Sequence, residues 1–206
     1  MSSSSPSVVG AEAPAGAVPP STEATRRRLS ERQAQTVQRL VEAAVDELRE
    51  QGYDGLTVRN VARRAGVAPA TAYNYFTSRE HLVTEVFWRR LQGLPESRLD
   101  RRRSAAAQVS ETMTDLALLV ADEPELASAC TVAMLATDPD VKLLRDRIGL
   151  EWRQRLSRSL GAQADPAVLT ALEFAVSGAL LQAGMGHMSY DELPARLART
   201  VELVVR

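Results

Sequence analysis

The stretch LTVRNVARRAGVAPATAYNYFTSREHL, from Leu56 to Leu82, is the most informative part of this chain. Apolar residues recur at helical spacing from Val58 to Ala65, and Thr57 carries a hydroxyl of the kind that caps a helix N-terminus. Gly66 follows at once, where a helix that ends in the left-handed conformation favours glycine. The pattern predicts a short helix that begins at Thr57 and ends in a tight turn at Ala65 to Val67.

A second short helix is predicted directly after this turn. Pro69 suits a first helical turn, because the N–H that proline lacks would have no partner there. Ala72 and Phe76 lie four residues apart and are expected to face inward. The residues left on the outer side are Ala70, Thr71, Tyr73 and Asn74. Two helices in this arrangement form a helix-turn-helix, whose second helix fits the DNA major groove. An ordinary helical hairpin in a larger bundle is the alternative interpretation.

This region resembles the DNA-binding domain of the TetR family of bacterial transcriptional regulators, over about Arg32 to Leu91. The resemblance is carried by Gly52-Tyr53, Leu56-Thr57-Val58-Arg59, Val61-Ala62, Ala65-Gly66-Val67, Thr71, Tyr73-x-Tyr75-Phe76 and Ser78-Arg79-x-x-Leu82. Two positions depart from the family pattern. Ala68 stands where Ser or Thr is frequent, which weakens the cap of the second helix, and Arg79 stands where lysine is usual.

The resemblance implies an all-α fold, with an N-terminal three-helix DNA-binding domain followed by a helical bundle for ligand binding and dimerisation. We predict a disordered tail over residues 1–29, which are rich in Ser, Pro, Ala and Gly, a DNA-binding domain over 30–78 and an effector domain over 79–206. A long helix from about Ser30 to Gln51, ended by Gly52, is expected to support the helix-turn-helix. Arg26 to Arg28 are either a solvated charge run or an arm that touches DNA.

Roles in DNA binding follow partly from position and partly from the resemblance. The outer residues Thr71, Tyr73 and Asn74 are placed to meet base edges or the adjacent backbone. By the resemblance, Thr57, Tyr75 and Arg79 correspond to phosphate-contacting positions, and Arg59 to an arginine that reaches a guanine edge. The full set of predicted DNA-binding residues is Thr57, Arg59, Pro69, Ala70, Thr71, Tyr73, Asn74, Tyr75 and Arg79.

The charge of the chain is distributed unevenly. Its formal net charge is −1 over 206 residues, but arginines gather around the motif, while many acidic residues follow in the second half. These arginines are Arg26, Arg27, Arg28, Arg32, Arg59, Arg63, Arg64 and Arg79. Because affinity for nucleic acid depends on the local patch, the low total does not argue against double-stranded DNA as the partner.

The second half of the sequence predicts further helices. One begins at Ser78 and ends at the breaker cluster Gly93-Leu94-Pro95, and in the family this helix joins the two domains. The others are predicted over about Ala105–Ala121, Pro124–Ala136, Pro139–Leu160, Asp165–Met185 and Ser189–Val205. Between the helix that begins at Ser78 and the one that begins at Ala105, Arg98 to Arg103 form a charged connector. This position favours a solvated loop over a second nucleic-acid patch.

The helix after Asp165 is apolar nearly all round, which is more than one core face requires. Its surplus surface predicts a homodimer, in which this helix and the last one form half of a four-helix interface as in TetR-like proteins. The predicted interface residues are Leu172, Ala175, Gly178, Ala179, Gln182, Leu197 and Val201. A fully buried central helix in a monomer is the alternative.

By the resemblance, a small apolar ligand inside the second domain releases a repressor from a pseudo-palindromic operator. The candidate pocket residues are Met113, Leu116, Met134, Trp152, Phe174 and Met185. All of them would serve equally well as core, because Met and aromatic residues at helical spacing are usually packing residues. The sequence does not identify the ligand.

Catalytic and metal-binding motifs are not found. His81 and His187 have no carboxylate or cysteine motif around them, and no glycine-rich phosphate loop or zinc-ligand cluster occurs. We therefore expect no cofactor, no metal and no enzymatic activity. The alternative functions are a helical-bundle enzyme and a helical adaptor that binds proteins through the Asp165 helix and has lost DNA binding.

The remaining features point to the cytoplasm. Cys130 is the only cysteine, so an intramolecular disulfide is excluded, and the residue is either a small core residue or a redox sensor. The N-terminus lacks the basic-then-apolar order of a signal peptide, and we find no run of about 18 apolar residues, so no membrane span is expected.

Overall fold

The computed structural model describes residues 31–96, 100 and 102–205, and the regular structure in them is helical throughout, which confirms the predicted all-α fold. The α-helices in chain order are α1 (Glu31–Gly55), α2 (Val58–Arg64), α3 (Pro69–Tyr73), α4 (Arg79–Gly93), α5 (Ala105–Ala117), α6 (Pro124–Ala133), α7 (Pro139–Leu160), α8 (Pro166–Gly184) and α9 (Leu193–Val204). Short 3₁₀ turns at Gly161–Gln163 and Tyr190–Glu192 precede α8 and α9. The predicted tail with Arg26 to Arg28, as well as Arg98 and Arg101, lies outside the described residues.

The first three helices form one packed unit. Leu40, Ala44 and Leu48 of α1 are buried, as the apolar stripe of this helix predicts, and α2 packs against both α1 and α3. Gly52 interrupts the helical geometry of α1 with φ +66°, a conformation that favours glycine. The predicted end of the long helix is therefore confirmed, although one more turn continues to Gly55.

Helix α4 joins this unit to the second half of the chain. It packs against α1, α6 and α7, and α6 also packs against α1, so one continuous core runs through both parts. The buried Arg155 of α7 donates hydrogen bonds to the carbonyl oxygens of Leu91, Leu94 and Pro95 at 2.9–3.3 Å. This side chain therefore fixes α7 to the backbone at and just beyond the C-terminus of α4, where carbonyl oxygens lack intrahelical partners.

Three predicted helix boundaries need correction. Helix α5 ends at Ala117 rather than Ala121, and α6 at Ala133 rather than Ala136. The residues that follow each helix lead to a residue before proline, Glu123 or Asp138. A residue before proline disfavours the helical conformation, so neither helix extends this far. The last helix begins only at Leu193, because a capping box between Ser189 and Glu192 first forms a 3₁₀ turn.

Helix α8 is long and apolar enough to cross a membrane by length and composition, with a mean hydropathy of 1.5. Thr170, Glu173, Ser177 and Gln182 interrupt its apolar residues, so length and composition alone do not contradict the prediction that the chain has no membrane span. Only 22% of the most apolar 18-residue stretch of this helix is buried within the protomer. The exposed apolar side chains of this region include Phe174 at 74% exposure and Leu181 at 39% on α8, and Met185 at 50% directly after it.

Candidate nucleic-acid interface and effector cavity

The turn between α2 and α3 has the predicted capping geometry. The Thr57 hydroxyl accepts a hydrogen bond from the Asn60 N–H at 3.0 Å, and Gly66 takes φ +64°. The Val67 N–H donates to the Ala62 carbonyl at 2.9 Å, which closes the C-terminus of α2 as in a Schellman motif. These short-range contacts fix the angle at which α3 leaves α2.

Helix α3 begins at Pro69 as predicted, but only its residues to Tyr73 are helical, and a hydrogen-bonded turn continues to Phe76. Ala68 makes no side-chain cap, in agreement with the weak cap expected there. Ala72 and Phe76 are buried, which confirms the inward face of the helix. The predicted outer residues are exposed or half-buried: Thr57, Arg59, Pro69, Ala70, Tyr73 and Asn74 are exposed, and Thr71 and Tyr75 are half-buried.

The arginines of the motif fall into two groups. Arg59 and Arg63 are exposed and form no ion pair among the described residues. Arg64 instead binds the buried Glu47 through Nε at 2.8 Å and Glu50 through Nη1 at 2.8 Å, and this ion pair lowers the pKa of the Glu50 carboxyl. The charge of Arg64 therefore fixes α2 to α1, whereas Arg59 and Arg63 offer free positive charge at this face.

The Arg79 side chain is held in place by Tyr53 and Glu80. Its guanidinium lies 4.3 Å from the centre of the Tyr53 ring, while Nη1 donates to the Tyr53 carbonyl and Nε to Glu80, both at 3.0 Å. Burial and then the Glu80 carboxylate, which accepts from the Tyr53 hydroxyl at 3.0 Å, raise the pKa of Tyr53 to about 12. This cluster joins the end of α1 to the start of α4 and orients Arg79, whose contact with phosphate stays a prediction.

Two comparisons decide the family. The family described as bacterial regulatory proteins, tetR family, matches residues 40–86 of this chain. An HTH-type transcriptional regulator of Mycobacterium tuberculosis is 44% identical over 188 residues, which cover 90% of this chain and 87% of that protein. The chain belongs to the TetR family of bacterial transcriptional regulators.

More distant similarities extend beyond the motif, in sequence and in fold. The HTH-type transcriptional repressor KstR of Rhodococcus jostii is 24% identical over 85% of each chain. A TetR transcriptional regulator from Rhodococcus sp. RHA1 has a TM-score of 0.69 at 24% identity, over 85% of this chain and 98% of that one. FadR from Bacillus subtilis, in complex with stearoyl-CoA, has a TM-score of 0.60 at 20% identity, over 82% and 97%.

A cavity of about 320 Å³ lies in the second half of this TetR-family chain, where α4, α6, α7 and α8 meet. Its wall is largely apolar and includes Met134 and Trp152, two of the predicted ligand residues. Phe87 of α4 also lines it and packs on Trp152 with ring centres 6.4 Å apart. The connector helix therefore forms part of the cavity wall.

The other predicted ligand residues lie elsewhere. Met113 and Leu116 are buried but do not line this cavity. Phe174 of α8 and Met185, the residue directly after α8, are exposed and do not line this cavity, so their assignment to the pocket is corrected. Because α8 is apolar on every side, its sequence does not distinguish the inner from the outer face.

The predicted dimer-interface residues fall into a buried group and a group that is half-buried or exposed. Leu172, Leu197 and Val201 are buried inside the protomer and offer no surface to a second chain. Ala175 and Ala179 are half-buried, whereas Gly178 and Gln182 are exposed. Only the α8 residues other than Leu172 therefore remain candidates for an interface.

Cys130 lies in the cavity wall and is 4% exposed. Burial raises the pKa of its thiol to about 12, so the reactive thiolate form is disfavoured. This environment favours the interpretation of Cys130 as a small core residue over its interpretation as a redox sensor.

Sequence reasoning missed a polar contact between the two halves of the chain. The Ser78 hydroxyl donates to Asp138 Oδ2 at 2.7 Å, and the Thr77 hydroxyl donates to Asp140 Oδ2 at 3.0 Å. Asp138 also caps α7. The Asp-Pro sequence at 138–139 is a readable cap signal, but its bond to Ser78 depends on tertiary packing.

Proposed function

We propose that this chain is a homodimeric repressor that binds a pseudo-palindromic operator and is released by a small apolar ligand. The observation that carries the proposal is the exposed face of α2 and α3, where Arg59 and Arg63 have no ion-pair partner among the described residues. Free arginines beside an exposed helix attract phosphates and read base edges. The proposal gives the chain a regulatory role in the cytoplasm and no catalytic role.

In the proposed complex, α3 lies in the major groove. Thr71, Tyr73 and Asn74 meet base edges or the neighbouring backbone, and Arg59 reaches a guanine edge from α2. Such a bidentate contact discriminates by about 1–3 kcal/mol. Thr57, Tyr75 and Arg79 contact phosphates, and Pro69 and Ala70 allow the start of the helix to approach the DNA closely.

A second copy of the chain covers the exposed face of α8. Phe174 is 74% exposed and Met185 50%, and an apolar surface of this kind is unfavourable in water. The small or polar residues Ala175, Gly178, Ala179 and Gln182 let another helix approach this face. A twofold axis there places two α3 helices on successive major grooves, about 34 Å apart.

Ligand binding acts on DNA binding through α4. Phe87 of α4 lines the cavity, and the contact between Ser78 and Asp138 ties the start of α4 to α7. A ligand that binds the DNA-incompetent arrangement better shifts the population toward it by that difference in affinity. FadR from Bacillus subtilis, a transcriptional regulator of this fold, was crystallised in complex with stearoyl-CoA, which supports a ligand site in such a protein.

The experiment that tests the proposal is genome-wide binding of the tagged protein, with its own promoter region included. We expect a small number of sites that share an inverted repeat and lie in promoters. A matched strain that carries Arg59→Ala and Arg63→Ala should lose these peaks at equal protein level. Peaks that persist in the variant, or no enrichment over an untagged strain, would contradict the proposal.

A further inference from the structure

One face of α7 forms part of the cavity wall. Arg145, Ile148, Gly149 and Trp152 all line it, and their spacing of three, four and seven residues places them on the same side of the helix. The indole Nε1 of Trp152 is buried against protein atoms and has no hydrogen-bond partner in the described residues, so it offers no surface to a ligand. Trp152 therefore contributes its ring to the wall, and Arg145 is the residue on this face that carries strong hydrogen-bond donors.

Among the described residues, Arg145 is the only charged one in the wall of this cavity. Its Nη1 donates to the carbonyl oxygens of Met134 at 2.6 Å and Ala136 at 3.2 Å, which fixes the guanidinium against the end of α6. Arg145 forms no ion pair among the described residues, so Nε and Nη2 have no carboxylate partner there. A guanidinium that is held in place with free N–H groups is suited to bind an anion.

The other polar side chains of the cavity carry no charge. They are Cys130, Thr131, Ser177 and Tyr190, and no Asp or Glu is among the described residues that line the cavity. The Thr131 hydroxyl donates to the Ala127 carbonyl at 3.0 Å. Most of the remaining wall is aliphatic or aromatic, and the volume of about 320 Å³ lies at the lower end of small-molecule pockets, about 300–1,000 Å³. Arg145 is therefore the group that favours an anion in this largely apolar space.

We infer that the ligand of this cavity is an apolar carboxylic acid, bound as its anion by Arg145. The inference rests on the proposed function, because it names the chemical class of the releasing ligand. The carboxylate accepts from the free N–H groups of Arg145, and the apolar body lies against Phe87, Trp152 and Leu180. Charge-assisted hydrogen bonds of this kind favour the anion over a neutral molecule of equal length.

The test compares decanoate with 1-decanol by isothermal titration of the full chain at neutral pH. Wild type should bind decanoate about tenfold or more tightly than 1-decanol, as expected for one charge-assisted interaction. Arg145→Gln should bind the two compounds with affinities within about threefold, whereas Arg145→Lys should keep part of the preference. The thermal midpoint of each variant controls for folding, because Arg145 also holds the end of α6.

Three results would overturn the inference: equal affinity of wild type for the two compounds, an unchanged preference in Arg145→Gln, or binding of neither compound. Operator binding by the ligand-free protein is measured in parallel by gel shift. If it is retained while decanoate fails, the inference is wrong and the regulator assignment stands. If decanoate binds with the expected preference and no promoter duplex binds, the cavity assignment stands and the proposed function is wrong.

Discussion

The Asp138 carboxylate accepts a hydrogen bond from the Ser78 hydroxyl at 2.7 Å, and each of these residues is the N-cap of its own helix. The Ser78 oxygen accepts from the His81 N–H in the first turn of α4, while Asp138 Oδ1 accepts from the Asp140 N–H in the first turn of α7. One polar contact therefore ties the start of the connector helix to the start of the helix that carries Arg145 and Trp152.

Replacing Asp138 by asparagine tests this contact. Because the charge that serves both the α7 cap and Ser78 is lost, Asp138→Asn should lower the free energy of unfolding by about 1–2 kcal/mol. Asp146→Asn is the matched control, since Asp146 pairs with Lys142 on the exposed surface and its loss should cost less than about 0.5 kcal/mol. Urea denaturation measures both values, and equal costs would contradict the role of Asp138.

The same carboxyl predicts a pH dependence. The Ser78 hydroxyl first, then the Asp140 and Val141 N–H groups, lower the pKa of Asp138 against the opposing effect of burial. A carboxyl with a lowered pKa in the folded state adds stability above its unfolded pKa and loses it as the pH falls through the folded pKa. The stability difference between wild type and Asp138→Asn should be constant above about pH 5 and shrink below about pH 4. A difference that grows toward acid pH would argue against this account.

Two arginine variants separate base reading from phosphate binding. Arg79→Ala should weaken binding to all sequences and reduce the salt dependence, whereas Arg59→Ala should also relax base preference by about 1–3 kcal/mol. Fluorescence anisotropy at two salt concentrations, with operator and mutated operator duplexes, measures both effects. Arg147→Ala, which removes an exposed arginine of α7, is the control and should leave binding unchanged. Equal binding by wild type, Arg59→Ala and Arg79→Ala would refute these assignments.

The exposed face of α8 predicts a dimer that a single charge disrupts. Phe174→Asp places a carboxylate in the proposed interface and should shift the protein to monomers at micromolar concentration, because a buried unpaired charge is costly. Leu143→Asp is the matched control on α7, where Leu143 is 46% exposed. Sedimentation velocity measures the state of each variant. If Phe174→Asp remains dimeric, α8 is not the interface.

A close approach between helices predicts the effect of adding one methyl group. A Cβ at Gly184 would lie 2.1 Å from the Thr131 Oγ1, so Gly184→Ala should destabilise the protein by about 1–3 kcal/mol. A Cβ at Gly149 would meet no atom within 4 Å, so Gly149→Ala should stabilise α7 by roughly 0.5–1 kcal/mol. Thermal unfolding of both variants checks the sign of each effect, and two effects of the same sign would contradict this packing.

The sequence predicts the helix-turn-helix well because its signals are local. The Thr57 and Ser78 caps, the left-handed Gly66 and the start of α3 at Pro69 depend on neighbours along the chain. The partners of Arg64 and Arg79 could not be predicted, because they come from helices that meet only in the folded chain.

The second half was harder to predict for a different reason. Helix α8 has no polar stripe, so its hydrophobic periodicity does not distinguish buried positions from exposed ones. Leu172 nevertheless lies in the core and Phe174 on the surface. Arg145 carries no sequence signal that separates it from the other arginines of α7. Its significance depends on the cavity, which only packing creates.

The most direct test of the central claim is a titration of an operator duplex with purified protein, followed by sedimentation velocity. We predict a complex of two protomers per duplex, whose affinity falls as salt rises because phosphate contacts release counterions. Protein that stays monomeric at micromolar concentration and fails to bind promoter duplexes even in dilute buffer would contradict the account.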